Sequence, residues 1–210
     1  PNPNKMRTVG PPMKDVEVRI ASDGEILVRG ELVMQGYWNN PEATAETIRD
    51  GWLHTGDIGE IDEDGYIRIT DRKKDIIVNS GGDNVAPQRV EGMLTIEPEI
   101  AQAMVYGDKR PHLVALIVPD TDFANDWIKA NSGEKRELSE LVEDEKFVAS
   151  VRDALDRVNA RLSTIERVRR FKLTAEPFSI NNEMLTPSMK IRRHIIKVRY
   201  SEDLEALYGG

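Results

Sequence analysis

The chain reads TDRKKDIIVNSGGDNVAP over residues 70–87, and this stretch separates two parts of different pattern. It begins with five consecutive charged residues at 71–75, which we expect to be exposed because charges are costly in a dry core. The β-branched run at 76–78 predicts a short strand, and the Ser-Gly-Gly at 80–82 favours a turn with positive φ. The stretch fits a junction between two domains, followed by a flexible loop that a ligand could approach. An ordinary exposed loop before a hairpin fits it equally well.

Composition narrows the class of protein. The 210 residues carry a formal net charge of −8, which argues against nucleic-acid binding because such proteins are usually basic. The absence of cysteine excludes disulfides and thiolate metal sites. His54, His112 and His194 are scattered, so we expect structural roles for them and no metal site. No apolar run approaches the roughly 20 residues of a membrane span and no signal peptide opens the chain, so we predict a soluble, cytoplasmic protein.

The first part of the chain alternates short apolar runs with turns. Residues 1–13 are rich in Pro and Gly and predict an extended lead-in, and the turn at 22–25 predicts a hairpin. So many short hairpins should not make a convincing core of their own. The predicted elements are strands at 15–20, 25–30, 58–61 and 66–69 and a helix at 41–48.

The second part mixes helices and strands. An apolar stripe at helical spacing, Phe147, Val151, Leu155, Val158 and Leu162, is interpreted as core rather than as a partner site. Gly133 is expected to break a helix, and residues 179–189 to form a polar, mobile loop. The predicted elements are helices at 87–95, 121–131, 136–142, 144–161, 191–200 and 202–208, and strands at 101–106, 113–118 and 168–174.

Three places indicate chemistry beyond packing. Asp57, expected in a loop between strands, could accept hydrogen bonds from vicinal hydroxyls such as those of a ribose. Arg72 is an always-ionised donor able to hold phosphate or sugar oxygens. Lys190, at a loop tip, could bring a cation into a site built by another domain. Each also has a plain interpretation: a common turn, a solvated charge, and one member of a basic patch.

Four segments resemble motifs of the adenylate-forming enzymes, a superfamily of acyl-CoA synthetases, luciferases and peptide-synthetase adenylation domains. GELVMQGYWNNP at 30–41 is similar to the family's Gly-Glu…Gly-Tyr segment, and DGWLHTGD at 50–57 to its Thr-Gly-Asp motif. DGYIRITDRKKD at 64–75 resembles the interdomain hinge, and EMLTPSMK at 183–190 the terminal lysine motif. The Leu-Thr-Pro-x-x-Lys form and the helical segment 120–162 most resemble the long-chain fatty acid–CoA ligase branch.

The resemblance implies a two-step reaction. A carboxylate attacks the α-phosphate of ATP to give acyl-adenylate and pyrophosphate, and the thiol of coenzyme A then displaces AMP to give a thioester. The implied substrates and cofactors are a fatty acid, ATP, coenzyme A and Mg²⁺. No nucleic-acid partner and no transmembrane segment are expected, and a peripheral membrane contact stays open.

The resemblance also implies roles for single residues. Asp57 would bind the ribose hydroxyls, Arg72 would hold the ribose or phosphate, and Lys190 would bridge the substrate carboxylate and the α-phosphate, where a positioned cation stabilises developing charge. Lys74 falls at the hinge position, with Asp71 and Lys73 as alternative pivots. Rotation there would bring the loop of Ser80, Gly81 and Gly82 to line the pantetheine path.

The chain departs from the family in what it lacks. The Ser/Thr/Gly-rich phosphate loop is absent, and the Tyr-Gly-x-Thr-Glu segment would lie just before residue 1. Most of the acyl pocket would belong to the same missing part. We therefore interpret the chain as about the last third of a longer enzyme, inactive alone and partnered by the rest of its N-terminal domain. Met189 stands where the terminal motif often has glycine.

The predicted fold class is α+β. Residues 1–71 would be the β-rich end of the N-terminal domain, 72–74 the hinge, and 75–210 a small mixed α/β lid domain. The predicted function is the C-terminal part of an ATP-dependent fatty acid–CoA ligase, an acid–thiol ligase. Two alternatives remain: a stand-alone nucleotide- or partner-binding module, and an adenylation domain that serves a carrier protein.

Overall fold

A computed structural model describes residues 5, 8–131 and 136–209. The chain divides into two compact units, Pro1–Ile76 and Ile77–Gly210, so the boundary falls directly after the charged run at 71–75. The described residues combine mainly antiparallel sheets with α-helices, and the α+β class is confirmed. The hinge at 72–74 stays a prediction.

The first unit is built on an antiparallel sheet. Its strand order is β1-β2-β4-β3, and a fifth strand, β5, also pairs with β4. The predicted hairpins and the short helix are confirmed, and that helix begins with Pro41 behind the capping side chain of Asn40. The elements are β1 (Val16–Ile20), β2 (Glu25–Gly30), α1 (Pro41–Thr47), β3 (Ile48–Arg49), β4 (Trp52–Ile61), β5 (Ile67–Arg72) and a 3₁₀ turn (Lys73–Asp75).

The core of this unit is small, as expected for a set of hairpins. Its buried apolar side chains among the described residues are those of Ile26, Leu27, Trp52 and Ile67. Burial of so few large side chains removes little apolar surface from water, and that burial is the main source of folding free energy. The unit therefore depends strongly on strand pairing and polar contacts.

The charged run is less exposed than predicted. Asp71 is only 2% exposed, so the expectation that all five charges reach the surface is wrong for this residue. It lies in β5 opposite Ile58, where successive side chains point to opposite faces of the sheet. Its carboxylate accepts a 2.7 Å hydrogen bond from the backbone N–H of Arg72. Strand alternation thus turns Asp71 inward and leaves Arg72 outside.

The second unit is larger and centres on a three-stranded sheet with the order β10-β9-β8. Strand β9 pairs antiparallel with β8 and parallel with β10, and all seven of its residues are buried. A central strand covered on both faces explains its continuous apolar run. The elements are β6 (Ile77–Val78), β7 (Asn84–Val85), α2 (Pro87–Leu94), β8 (Ile100–Tyr106), β9 (Leu113–Pro119), α3 (Thr121–Asn131), α4 (Leu138–Leu141), α5 (Glu145–Asn159), a 3₁₀ turn (Thr164–Glu166), β10 (Val168–Leu173), α6 (Arg193–Arg199) and α7 (Ser201–Ala206).

Two apolar clusters cover the two faces of this sheet. The first includes the predicted apolar stripe, four residues of which lie on α5 and the last just after it, and its interpretation as core is confirmed: Phe147, Val151, Leu155, Val158 and Leu162. The second packs Phe178, Met184, Leu185, Ile196 and Leu204 against the opposite face of β8 and β9. The segment before α6 and the last two helices therefore belong to the core of this unit.

The segment 179–189 differs from its prediction as a polar, mobile loop. Met184 is 0% exposed and Leu185 4% exposed, so part of the segment is anchored in the second cluster. Asn182 fixes the local backbone by accepting hydrogen bonds from the N–H groups of Ser179 and Met184. Gly133 and part of the predicted lead-in, 1–4 and 6–7, lie outside the described residues. Among the helices described, none has the length and apolarity needed to cross a membrane.

Candidate functional site

Asp57 lies inside strand β4 and not, as predicted, in a loop between strands. The strand is irregular at this point. Against β2, the pairing moves from Ile58 opposite Glu25 to His54 opposite Leu27, which leaves a bulge at residues 55–57. The motif therefore forms a local distortion within a strand, and the distortion aims the Asp57 side chain.

Each residue of the Thr-Gly-Asp motif has a part in this bulge. The Thr55 hydroxyl donates to the carbonyl oxygen of Ile26 at 2.7 Å and accepts from the Asp57 N–H at 3.1 Å. Gly56 has a φ of +70°, a conformation that is costly for residues with a side chain. Threonine thus closes the bulge, glycine turns it, and aspartate presents a carboxylate from it.

Asp57 and Arg72 lie directly opposite each other on β4 and β5. Nε of Arg72 is 2.9 Å from Oδ1 of Asp57, and their side chains are 47% and 21% exposed. Among the residues that the structure describes, no hydrogen bond reaches Oδ2 of Asp57, so that oxygen can accept from a hydroxyl. The structure brings together two of the predicted site residues, with a fixed carboxylate beside a donor fork.

A buried carboxylate behind this pair was missed by the sequence analysis. Glu25 is 3% exposed and accepts three hydrogen bonds of 2.9 Å, from Gly56 N–H, His54 Nδ1 and Lys73 Nζ. Lys73 also contacts Asp23 at 2.7 Å. Burial raises the pKa of Glu25, but the hydrogen bonds from His54, Lys73 and Gly56 outweigh it and hold that pKa below its usual value.

The cation in this network is stabilised by the same contacts. Hydrogen bonds to Asp23 and then to Glu25 raise the pKa of Lys73, and the bond to Lys73 lowers the pKa of Asp23. Both carboxylates lie near the turn that links β1 and β2. The only indication of this network in the sequence was a polar hairpin turn followed by a glutamate in an apolar strand.

Lys190 ends a tight turn in the second unit. The N–H of Lys190 donates to the Thr186 hydroxyl at 3.0 Å, and its carbonyl oxygen accepts from the Thr186 N–H at 2.8 Å. Leu185 and Ile191 form a bridge at the base. The side chain of Lys190 is exposed, and no described residue forms an ion pair with it. The turn is well ordered by hydrogen bonds, and it presents a free cation.

A buried ion pair fixes the base of this turn. Arg193, three residues after Lys190, contacts Glu91 of α2 through two bonds, Nη1–Oε1 at 2.5 Å and Nη2–Oε2 at 3.0 Å. Glu91 also accepts from the N–H of Val105 at 2.8 Å, and Arg193 donates to the Val105 carbonyl oxygen at 3.1 Å. The start of α6 is thereby attached to both α2 and β8.

The Ser80-Gly81-Gly82 loop joins the short strands β6 and β7. Asn79 organises it, because its Oδ1 accepts from the N–H groups of Gly81 and Asp83 at 2.9 Å each. Only Gly82 takes the positive φ predicted for both glycines, at +86°. Ser80, Gly81 and Gly82 are all exposed in this unit, and their N–H groups donate within the protein, to the carbonyl oxygen of Arg110, to Oδ1 of Asn79 and to the carbonyl oxygen of Asn79. Because glycine has no side chain, a ligand could approach the backbone closely here.

The predicted site residues thus fall into two groups. Asp57, Arg72 and Lys74 belong to the first unit, and Lys190 and the Ser80–Gly82 loop to the second. Within residues 5, 8–131 and 136–209, no group of three His, Asp or Glu side chains could hold a metal ion. The Mg²⁺ expected with ATP stays a prediction.

Comparison with known proteins places this geometry in a family. Residues 74–210 match the family model described as the AMP-binding enzyme C-terminal domain. The long-chain-fatty-acid–CoA ligase FadD15 of Mycobacterium tuberculosis is 41% identical over 209 residues, which cover 99% of this chain and 35% of that protein. The long chain acyl-CoA synthetase 2 of Arabidopsis thaliana is 34% identical, over 96% of this chain and 33% of that protein. The chain therefore spans about a third of the relatives it matches.

Solved structures are similar over both units. The adenylation domain of a Mycobacterium chelonae carboxylate reductase has a TM-score of 0.78 and 25% identity, and the match covers 95% of this chain and 32% of that one. The O-succinylbenzoate coenzyme A synthetase of Bacillus subtilis, solved with AMP, has a TM-score of 0.63 and 26% identity over 91% of this chain and 35% of that one. The chain belongs to the adenylate-forming, AMP-binding enzymes, and it carries their C-terminal domain.

Proposed function

We propose that this chain is the C-terminal third of an ATP-dependent fatty acid–CoA ligase. The observation that carries the proposal is the 41% identity to a long-chain-fatty-acid–CoA ligase over 99% of the chain. The proposed reaction forms acyl-adenylate from a fatty acid and ATP and then acyl-CoA from the adenylate and coenzyme A. The full protein would supply the phosphate loop and acyl pocket, and a cytoplasmic location stays a prediction.

The first unit would bind the nucleotide. Oδ2 of Asp57 accepts no hydrogen bond from the described residues, and a ribose hydroxyl could donate to it. Arg72, with Nε 2.9 Å from Oδ1, pairs with the Asp57 carboxylate and adds a donor for a ribose or phosphate oxygen. The carboxylate can accept a hydrogen bond and the adjacent guanidinium can donate one, and the hydroxyl groups of a ribose can do both.

Lys190 would act in adenylation. The attack on the α-phosphate builds negative charge on phosphoryl oxygens, and a positioned cation lowers the free energy of that transition state. An exposed lysine without an ion-pair partner among the described residues can move to such a charge without first breaking a contact. Any Mg²⁺ would supply further charge neutralisation on the phosphates of ATP.

Lys74 would be the pivot for the second step. Asp71 is buried and paired in β5, and Lys73 is tied to Asp23 and Glu25. Rotation at either residue would break those contacts, whereas no described residue forms an ion pair with the exposed side chain of Lys74. These contacts favour Lys74 over Asp71 and Lys73. Rotation there would bring Ser80, Gly81 and Gly82 to the pantetheine path.

A second candidate is an adenylation domain that serves a carrier protein. It is favoured by the similarity to the didomain of the Segniliparus rugosus carboxylic acid reductase, with a TM-score of 0.77 and 27% identity over 97% of this chain and 29% of that one. Both candidates share the adenylation step. They differ in the thiol that receives the acyl group.

The experiment uses the natural full-length protein. We expect fatty-acid-dependent exchange of pyrophosphate into ATP and, on addition of coenzyme A, acyl-CoA with release of AMP. Exchange without any acyl-CoA product would favour the carrier-protein candidate, and no exchange with any fatty acid would contradict the proposal. Residues 1–210 alone should show no exchange, because positioning of ATP supplies much of the catalysis in such reactions.

A further inference from the structure

Glu25 lies outside every motif that the resemblance used, yet it contacts two of them. Its Oε1 accepts from the N–H of Gly56, which stands in the Thr-Gly-Asp bulge. Its Oε2 accepts from Nζ of Lys73, the residue after Arg72. A carboxylate only 3% exposed is stable there because three donors satisfy it. One buried side chain thus connects the strand that carries Asp57 with the turn that directly follows Arg72.

The contact to Gly56 acts on the backbone under Asp57. Gly56 is the central residue of the bulge and has a φ of +70°. The bond from its N–H to Glu25 satisfies a donor that the bulge takes out of the strand ladder. Without that bond the bulge could relax to other backbone conformations, and the carboxylate of Asp57 would change direction.

The contact to Lys73 acts on the other member of the pair. Lys73 opens the 3₁₀ turn at the end of β5, and its ammonium group lies 2.9 Å from Glu25 and 2.7 Å from Asp23. The two carboxylates hold the strand end next to Arg72. His54, which precedes Thr55 in β4, donates to the same oxygen of Glu25 at 2.9 Å and fixes the carboxylate in place.

We propose that Glu25 is a positioning residue for nucleotide binding, which sets the Asp57–Arg72 pair for the ribose by holding the backbone beside each member. The inference rests on the proposed role of Asp57 and Arg72. Glu25 itself does not touch the nucleotide. It acts through Gly56 on one strand and through Lys73 on the other.

The test is a titration of the natural full-length protein with AMP, 2′-deoxy-AMP and 3′-deoxy-AMP. The wild type should prefer AMP over at least one deoxy form by about tenfold or more, as expected for a hydroxyl that donates to a carboxylate. Glu25→Gln keeps the size of the side chain but turns an N–H group toward one of its donors. We expect it to weaken AMP binding about tenfold and to leave the binding of that deoxy-AMP nearly unchanged.

A purely structural role predicts a different pattern. General loss of stability would weaken AMP and deoxy-AMP alike and would leave the preference for AMP intact. A double-mutant cycle with Asp57→Ala adds a second readout, because Glu25→Gln should cost little once Asp57 is absent. Additive losses, or an unchanged preference for AMP in Glu25→Gln, would overturn the proposal.

Two further variants keep the test decisive. Glu17→Gln, the same change at an exposed glutamate paired with Arg29, should bind all three nucleotides like the wild type. If Glu25→Gln does not fold, Lys73→Gln removes the ion pairs that a 42% exposed side chain makes with Glu25 and Asp23. It should reduce the preference for AMP by a smaller factor, and an unchanged preference in this variant would count against the proposal.

The titrations contain no acid substrate, so they separate this inference from the proposed function. A protein that shows Glu25-dependent ribose preference but no fatty-acid adenylation would retain the inference and lose the proposed substrate. A protein that adenylates fatty acids while Glu25→Gln and the wild type prefer AMP equally would retain the function and lose the inference.

Discussion

The strand pair that carries Asp57 and the turn that carries Lys190 hold these candidate functional side chains in different ways. Both the backbone and the side chain of Asp57 are held in place: its strand is paired, its bulge is closed by Thr55, and Arg72 contacts its carboxylate. Lys190 is fixed only at the base of its turn, and its ammonium group is exposed without an ion pair among the described residues. The first arrangement suits a ligand that is held throughout a reaction, and the second suits a charge that serves one step.

The largest effect should follow from removing the free cation. Lys190→Ala in the natural full-length protein should slow adenylation by about 10²–10³-fold, the usual cost of losing one group that stabilises a transition-state charge. Formation of thioester from supplied acyl-adenylate should be nearly unchanged. The two half-reactions are measured separately, by pyrophosphate exchange and by acyl-CoA release.

Lys146→Ala is the matched control, since it removes an exposed lysine from α5 and should leave both half-reactions unchanged. Equal losses in the two half-reactions of Lys190→Ala would mean that Lys190 supports folding or binds phosphate generally. The difference between the two regions would then have no functional meaning.

The base of the Lys190 turn can be broken without touching the lysine. Glu91→Gln removes the charge that pairs with Arg193, and leaving a buried charge unpaired costs about 3–5 kcal/mol. We take the lower end, because the Arg193 side chain is 19% exposed. Urea unfolding of residues 1–210, followed by the helical circular dichroism signal, should show this loss.

Glu143→Gln provides the comparison, because its partner Lys172 and Glu143 itself are 40% and 70% exposed. Such an exposed pair contributes about 0–1 kcal/mol. Equal effects of the two substitutions would show that the Glu91–Arg193 contact does not anchor the turn.

The next prediction concerns the junction between the two regions. Lys74→Pro fixes φ near −65° and restricts Lys73, so a rotation at this point should be hindered. We expect the thioester step to fall by about tenfold or more, as when a hinge is blocked, while adenylation is kept. Acyl-adenylate would then accumulate, and quenching the reaction with and without coenzyme A measures it.

Lys74→Ala removes the same charge and leaves the backbone free, so both steps should proceed normally in that variant. Normal thioester output from Lys74→Pro would place the rotation elsewhere or exclude it. A parallel fall of both steps would indicate a folding defect at the 3₁₀ turn.

The sequence predicted the elements whose pattern is local. The continuous apolar run of β9 and the stripe of α5 each report burial through residues close in the chain, and both predictions are confirmed. The sequence motifs also selected Asp57 and Arg72, and the structure shows that these two are partners.

The features that the sequence did not predict depend on contacts between residues far apart in the chain. Glu25 meets Gly56 and Lys73, which are 31 and 48 positions away, so no local pattern contains the network. The burial of Asp71 follows from the register of β5 on β4, because a shift by one residue would exchange it with Arg72. The loop position predicted for Asp57 was wrong because a bulge can supply a turn within a strand.

The smallest expected effect tests how firmly the Lys190 turn is built. Met189 has a φ of +61° and is 66% exposed, so its backbone takes a conformation that favours glycine while its side chain contributes little burial. Met189→Gly should raise the unfolding free energy by up to about 1 kcal/mol. A left-handed backbone conformation costs a non-glycine residue roughly 1–2 kcal/mol, and glycine avoids this cost. Part of the gain is lost, because glycine has more conformational freedom in the unfolded chain. Met13→Gly is the control: Met13 is similarly exposed, at 69%, but its φ is not positive, and glycine there should give no gain. Urea midpoints of the two variants provide the measurement. A loss of stability in Met189→Gly would mean that the methionine side chain or a stiff backbone holds the turn, and the hydrogen bonds of Thr186 would not then suffice to present Lys190.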